Sequence, residues 1–104
     1  MTEEVLHRQE RILVRRQILD PGDATPWHQD VCQRVSVVLR GAELDIEFRD
    51  GSPSQRVEVS AGQVDWEMPS DRLHRAVNVG AVPYEEVTVF FLDHPKAIPQ
   101  PEAV

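Results

Sequence analysis

Apolar and polar residues alternate along several short segments of the chain, a pattern that predicts β-strands. Residues 43–49 are the clearest case, because Leu44, Ile46 and Phe48 alternate with charged side chains and so give one apolar face and one wet face. The same period of two returns at 56–59 and, less regularly, at 11–19. Turn-forming Gly, Pro and Asn residues separate these segments at intervals of roughly ten residues. The sequence therefore predicts an all-β fold, either a sandwich or a barrel.

Two further segments are apolar without alternation. Residues 35–39 and 87–92 are almost continuously apolar, as is typical of strands covered on both faces. The chain ends differ: residues 1–9 predict a frayed helical turn or no regular structure, and residues 95–104 contain three prolines, which oppose a regular ladder. We therefore expect one domain over residues 1–104, with a core at about 11–93, central strands at 35–39 and 87–92, and peripheral or flexible ends without chemistry.

Composition narrows the class of protein. The length of 104 residues suits one core rather than two. A net charge of −7 disfavours nucleic acid and anionic lipid, and no apolar run approaches the ~20 residues that cross a bilayer. The single cysteine, Cys32, cannot form an intramolecular disulfide, which favours a reducing compartment. We expect a soluble cytoplasmic protein that binds neither nucleic acid nor membrane.

The four histidines differ in context. His7 and His94 lie in the polar ends and are expected to be exposed. His28 follows a rigid loop that begins at Pro21 and Gly22, and His74 follows a second turn. Each of these two imidazoles is therefore delivered to a strand by a stiff loop, and these two are the candidates for a site.

The loops carry motifs that resemble those of the small single-domain cupins. The first cupin motif, a Gly, His-x-His, a Glu and a closing Gly, is matched by Gly22, His28, Asp30, Arg34 and Gly41. The second motif, a Gly, a Pro, a His and an Asn, is matched by Gly62, Pro69, His74 and Asn78. The resemblance covers residues 11–93 and implies a jelly-roll barrel, the double-stranded β-helix, whose mouth is lined by both motif regions. It also implies a homodimer, in which residues 11–19 are the candidate for an exchanged strand.

The resemblance implies a metal site as well. Cupins that bind a metal use three imidazoles and a carboxylate, and the matching positions here are His28, Asp30, Arg34 and His74. His28 and Asp30 are two residues apart and point the same way on an extended segment, so with His74 they form a 2-His-1-carboxylate set suited to iron, manganese, nickel or zinc. Arg34 opposes this because its permanent charge replaces an anionic ligand. Pairing of Arg34 with Asp30 would relieve the conflict between the charges, but Asp30 would then no longer be a free ligand. A metal-dependent dioxygenase or isomerase is one hypothesis.

The same residues also suit an organic ligand without a metal. Arg34 beside His28 and His74 would form an electropositive site for a small carboxylate or sugar acid. A histidine can transfer a proton at neutral pH, so isomerase-like or catabolic activity with His28, His74 and Arg34 as catalytic residues stays open beside binding without turnover. The pocket walls are expected from some of these side chains: Trp27, Trp66, Met68, Val38, Phe90 and Leu92.

Other interpretations remain open. The chain is also compatible with a non-catalytic dimeric regulatory module, and His28 and His74 with histidines that anchor loops by hydrogen bonds to backbone. Tyr84 is a weak candidate for a second acid or base, since a tyrosine beside a proline in a turn is more often packed. Glu85 and Glu86 are expected on a solvated strand surface. Whether the protein is an enzyme is not decided by the sequence.

Overall fold

The computed structural model describes residues 1–92, which form nine β-strands and contain no helix, so no helix in this part of the chain could span a membrane. The strands are β1 (Thr2–Gln9), β2 (Ile12–Leu19), β3 (His28–Asp30), β4 (Gln33–Arg40), β5 (Glu43–Phe48), β6 (Gln55–Glu58), β7 (Val64–Glu67), β8 (Ser70–Asn78) and β9 (Tyr84–Phe91). The all-β prediction is confirmed, and each segment predicted as a strand coincides with one to within a residue or overlaps it. His94 and the proline-rich end lie outside the described residues.

The strands form two antiparallel sheets. One has five strands in the order β1-β2-β9-β4-β7 and the other has four in the order β3-β8-β5-β6. β4 and β9 lie inside the larger sheet, which confirms the prediction that 35–39 and 87–92 are central. A buried cluster joins the sheets, with Leu19, Val38 and Tyr84 from the larger sheet packed against Leu44 from the smaller. This packing closes the two sheets into a jelly-roll barrel.

The register of the larger sheet decides which side chains face the barrel interior. On β9, residues Tyr84, Glu86, Thr88 and Phe90 share one face, and Thr88 lies opposite Arg15 on β2 and Ser36 on β4. The residues between them, such as Val87 and Val89, face outward. The interior of the larger sheet is therefore polar in its middle rows.

The N-terminal segment differs from the expectation. Residues 2–9 form β1, paired antiparallel to β2, with a shift of register between Val5 and His7. A polar strand is stable at this edge because its backbone bonds to β2 and because Glu3 lies 3.6 Å from Arg15. β2 pairs with β1 and β9 of its own chain, and exchange of this strand between subunits stays a prediction.

Candidate functional site

Two histidines and one aspartate meet at the end of the smaller sheet. His28 on β3 lies directly opposite His74 on β8, and their ring centroids are 4.5 Å apart. Asp30 lies two residues along β3 and is buried, with its side chain 6% exposed, whereas the side chains of His28 and His74 are 11% and 14% exposed. The structure thus brings together the three residues that the sequence placed in one candidate metal site.

Both imidazoles present the same nitrogen to the carboxylate. His74 Nε2 lies 3.0 Å from Asp30 Oδ2, and His28 Nε2 lies 3.5 Å from Asp30 Oδ1. The other ring nitrogens face backbone oxygens, with His28 Nδ1 2.7 Å from the carbonyl of Pro26 and His74 Nδ1 2.8 Å from that of Arg72. Because a carbonyl only accepts, each Nδ1 donates, which leaves the Nε2 atoms to bind a proton or a metal ion.

The charges of the cluster are strongly coupled. Burial by itself would raise the pKa of Asp30, but the imidazoles of His28 and His74 that face its carboxylate and the charge of Arg34 outweigh burial and hold this pKa well below its usual range. The hydrogen bond to Asp30 raises the pKa of His74, against the opposing effect of burial. Asp30 is therefore an anion that draws cations to this point.

Arg34 pairs with Asp30, which is the alternative that the sequence left open. Arg34 Nη2 donates to Asp30 Oδ2 at 2.9 Å. Arg34 Nη1 and Asp30 Oδ1 are buried and have no hydrogen-bond partner among the described residues. Unpaired buried polar atoms are costly, so one donor and one acceptor at this site are available to a ligand.

A cavity of about 140 Å³ extends from the histidines over the inner face of the larger sheet. The polar side chains on that wall, besides Arg34, are Glu3, Arg15, Gln17, Ser36, Glu86 and Thr88. Tyr84 also lines it, and burial raises the pKa of its hydroxyl, as does the charge of Glu86 to a lesser degree, so Tyr84 remains protonated at neutral pH. The cavity is more polar than the apolar pocket expected from the sequence.

The aromatic and apolar walls expected from the sequence are elsewhere, and this expectation was wrong. Trp66 and Met68 are 60% and 63% exposed, because Trp66 points outward from the edge strand β7, where its ring lies 5.7 Å from that of Phe91. Trp27 lies beneath the guanidinium groups of Arg49 and Arg75, 5.4 Å and 4.6 Å from its ring. These rings do not line the cavity.

The remaining expected wall residues are core residues. Phe90 is 1% exposed and packs in a buried cluster with Leu13, Cys32 and Leu92, and Val38 belongs to the other buried cluster. Although Phe90 faces inward, Arg15 covers it, with its guanidinium carbon 5.0 Å from the ring. The cavity wall at this point is therefore Arg15 rather than the aromatic ring expected from the sequence.

Two acidic cavity residues were assigned elsewhere from the sequence. Glu3 was assigned to an end without chemistry, and Glu86 to a solvated surface, yet both line the cavity. Glu85 and Glu86 are adjacent and so point to opposite faces of β9: Glu85 faces outward to Arg16 and Arg40. The alternation of inward and outward residues along β9 is the sequence signal that could have assigned Glu86 to the interior and Glu85 to the outer surface.

Comparison with solved structures identifies the fold. A cupin domain from Bordetella pertussis Tohama I is similar with a TM-score of 0.76 and 21% identity, over 86% of this chain and 91% of that one. A Klebsiella pneumoniae protein with a double-stranded β-helix domain gives 0.69 and 21%, over 93% and 79% of the two chains. An RmlC-like cupin from Methanocaldococcus jannaschii gives 0.68 and 18%, over 91% and 82%.

No protein-family profile matches the sequence, and no curated protein matches it. The likeness is therefore one of fold. The chain has the cupin fold, the double-stranded β-helix, as its motifs predicted, and it carries a His-Asp-His group in that fold.

Proposed function

We propose that this cupin-fold chain binds a divalent transition-metal ion through His28, Asp30 and His74. The observation that carries the proposal is the orientation of the imidazoles: each Nδ1 is held by a backbone carbonyl while each Nε2 faces Asp30. Histidine ligands of metals are held in this way by a hydrogen bond at the second nitrogen.

The separations of the ligand atoms support the proposal. All three lie within 4.8 Å of one another, and bonds of about 2.0–2.2 Å to a common ion place neighbouring ligand atoms roughly 3 Å apart. Asp30 Oδ1 is buried without a hydrogen bond, so Asp30 can pair with Arg34 through one oxygen and offer the other to the ion. This arrangement removes the conflict between Arg34 and a metal that the sequence raised.

The set suits a metal-dependent isomerase or dioxygenase. Three protein ligands leave coordination positions open, at which an ion would polarise an oxygen-containing ligand as a Lewis acid. The chain's own residues hold the donors in place: the backbone carbonyls fix the imidazoles, and Arg34 fixes the carboxylate of Asp30.

Elemental analysis of the purified, untagged protein tests the proposal. We expect about one equivalent of a transition metal in the wild type after addition of iron, manganese, nickel or zinc and removal of excess, and none in His74→Ala. His7→Ala is the matched control and should keep the metal, because His7 lies on exposed β1 and, among residues 1–92, its side chain bonds only to Gln9. Wild-type protein that stays metal-free with all four ions would refute the proposal.

A second proposal is that the cavity binds the carboxylate of a small organic acid through Arg34. It is supported by the Nη1 group of Arg34, which is buried at the cavity without a partner among the described residues. A guanidinium binds a carboxylate through paired hydrogen bonds. This ligand and the metal are compatible, since Arg34 uses only Nη2 for Asp30.

A thermal-shift screen of small carboxylates and sugar acids tests this second role. We expect an acid that raises the Tm of the wild type to leave Arg34→Gln unshifted. Arg8→Gln removes the same charge from an exposed position on β1 and should retain the shift. Equal shifts in wild type and Arg34→Gln would exclude Arg34 as the anchor of the carboxylate.

A further inference from the structure

Glu86 lines the cavity at a distance from the cluster of His28, Asp30 and His74. On β9 it lies opposite Gln17 of β2 and Val38 of β4, whereas Arg34 lies opposite Phe90. Glu86 precedes Phe90 by four positions on β9, which corresponds to about 13 Å along a strand at ~3.3 Å per residue. Glu86 and Arg34 therefore lie well apart along one wall of the cavity.

The contacts of Glu86 differ from those of the other carboxylates in the cavity. Asp30 is paired with Arg34, and Glu3 lies near Arg15. Within residues 1–92, Glu86 forms no ion pair. Its Oε2 accepts a hydrogen bond from Thr88 Oγ1 at 2.9 Å, and the Tyr84 hydroxyl is a second neutral donor beside the same carboxylate. A half-buried carboxylate without a cation retains strong acceptor capacity.

The surroundings of Glu86 indicate which chemical group of a ligand would contact its carboxylate. Ser36 and Thr88 add a second hydrogen-bonding pair, with their hydroxyl oxygens 2.8 Å apart. Arg15 lines the same cavity, and its Nε is buried without a partner in the described part of the chain. The positive charge of Arg15 opposes an ammonium group, and an apolar group would leave the carboxylate desolvated and unpaired. A neutral hydrogen-bond donor avoids both the repulsion between cations and the loss of a partner for the carboxylate.

We propose that Glu86 accepts a hydrogen bond from a hydroxyl group of the ligand, so that the ligand is an extended hydroxy acid. Its carboxylate lies towards Arg34, and its hydroxyl is several carbon atoms away. The assignment rests on the proposed binding of a carboxylate by Arg34 and is independent of the metal. It makes Glu86 the residue that selects hydroxylated acids over unsubstituted ones.

Calorimetric titration with matched acids tests this selection. The probes are 4-hydroxybutyrate against butyrate and 6-hydroxyhexanoate against hexanoate, each titrated into metal-loaded and metal-free protein. A hydrogen bond to a charged group contributes about 1.5–3 kcal/mol, so the wild type should bind the hydroxy acid roughly tenfold to hundredfold more tightly in at least one pair. Glu86→Gln should reduce this preference to below about threefold while unsubstituted acids bind as before.

Glu58→Gln is the matched control, since Glu58 is exposed on β6 and the substitution removes the same charge; its preference should equal that of the wild type. Equal binding of hydroxylated and unsubstituted acids by the wild type, or an undiminished preference in Glu86→Gln, would overturn the assignment while leaving Arg34 as an anion site. Absence of binding by all four acids would overturn both roles. Metal content of the same samples reports on the metal proposal separately.

Discussion

A single amide holds three backbone segments together at the end of the barrel. Asn78 is 1% exposed, and its Nδ2 donates to the carbonyls of Leu19 and Val82, both at 2.9 Å, while its Oδ1 accepts from the Gly80 amide at 3.0 Å. No other uncharged side chain of similar size offers two donors and an acceptor in this arrangement. The asparagine of the second motif is therefore structural, in contrast to the histidine four residues before it.

Replacement of this amide should be costly. Asn78→Asp keeps the shape of the side chain but places carboxylate oxygens against two carbonyls, so both lose their donor in a buried site. We expect a loss of roughly 3 kcal/mol or more in the free energy of unfolding, measured by urea denaturation at pH 7. Gln55→Glu makes the same amide-to-acid change at an exposed position on β6 and should cost less than about 0.5 kcal/mol. Similar losses in the two variants would contradict the structural role.

At the scale of strands, Glu85 connects three adjacent strands of the larger sheet. From β9, its carboxylate accepts from Arg16 Nε on β2 at 2.7 Å and from Arg40 Nε at the end of β4 at 2.9 Å. The hydrogen bond to Arg16 lowers the pKa of Glu85, with smaller contributions from Arg40 and against the effect of burial. The ionised carboxylate thus ties β2, β9 and β4 together on the outer surface.

This pairing predicts a pH dependence of stability. Because the pKa of Glu85 is lower in the folded chain than its ordinary value of 4.5, its contribution is complete above that value and is lost as the pH falls through the lowered pKa. Glu85→Gln should therefore be less stable than the wild type at pH 7, and the difference should shrink towards pH 3. Urea denaturation at several pH values measures it, with Glu10→Gln in the exposed turn as control. A difference that does not change with pH would show that the ion pairs are not its source.

Strand patterns explain why some elements were predictable and others were not. The alternation in 43–48 was evident because β5 has a buried inner face and a charged outer one. β1 was missed because Val5 and Leu6 are adjacent and its register shifts there, so no period of two is visible. His28, Asp30 and His74 were found because motif spacing and the extended geometry of β3 determine their approach. Glu86 needed the register of β9, which no single residue type reveals.

The outer faces of the two sheets differ across the whole molecule. On the smaller sheet the outer residues are charged, and Arg56 contacts Asp45 and Glu43 there, as expected from the sequence. On the larger sheet the register aligns an outward face of apolar side chains: Ile12, Val14, Val35, Val37, Val64, Trp66, Val87, Val89 and Phe91. The apolar segments of β4 and β9 predict strands that are covered on both faces, yet no strand within residues 1–92 covers this outer face of the larger sheet.

We expect a second copy of the chain to cover this face. Four strands at ~4.8 Å spacing and some seven residues at ~3.3 Å give roughly 440 Å² per copy, or ~900 Å² in total, which is the size of a weak rather than a permanent interface. Two flat apolar sheet faces pack well against each other, and exposed apolar patches of this size commonly mark interaction surfaces. We therefore expect the homodimer that the sequence suggested, formed through the larger sheets.

Substitution at the exposed edge of this face tests the expectation without disturbing the core. Trp66 and Val64 are 60% and 61% exposed, so Trp66→Glu and Val64→Glu should fold as the wild type does. Large aromatic side chains often dominate interfaces, and a buried unpaired carboxylate is costly, so each variant should weaken dimerisation at least thirtyfold. Analytical ultracentrifugation across a range of concentrations measures this, with Val82→Glu in an exposed loop as the matched control that stays dimeric. A monomeric wild type, or dimers that both edge variants leave intact, would mean that a second copy does not cover this sheet.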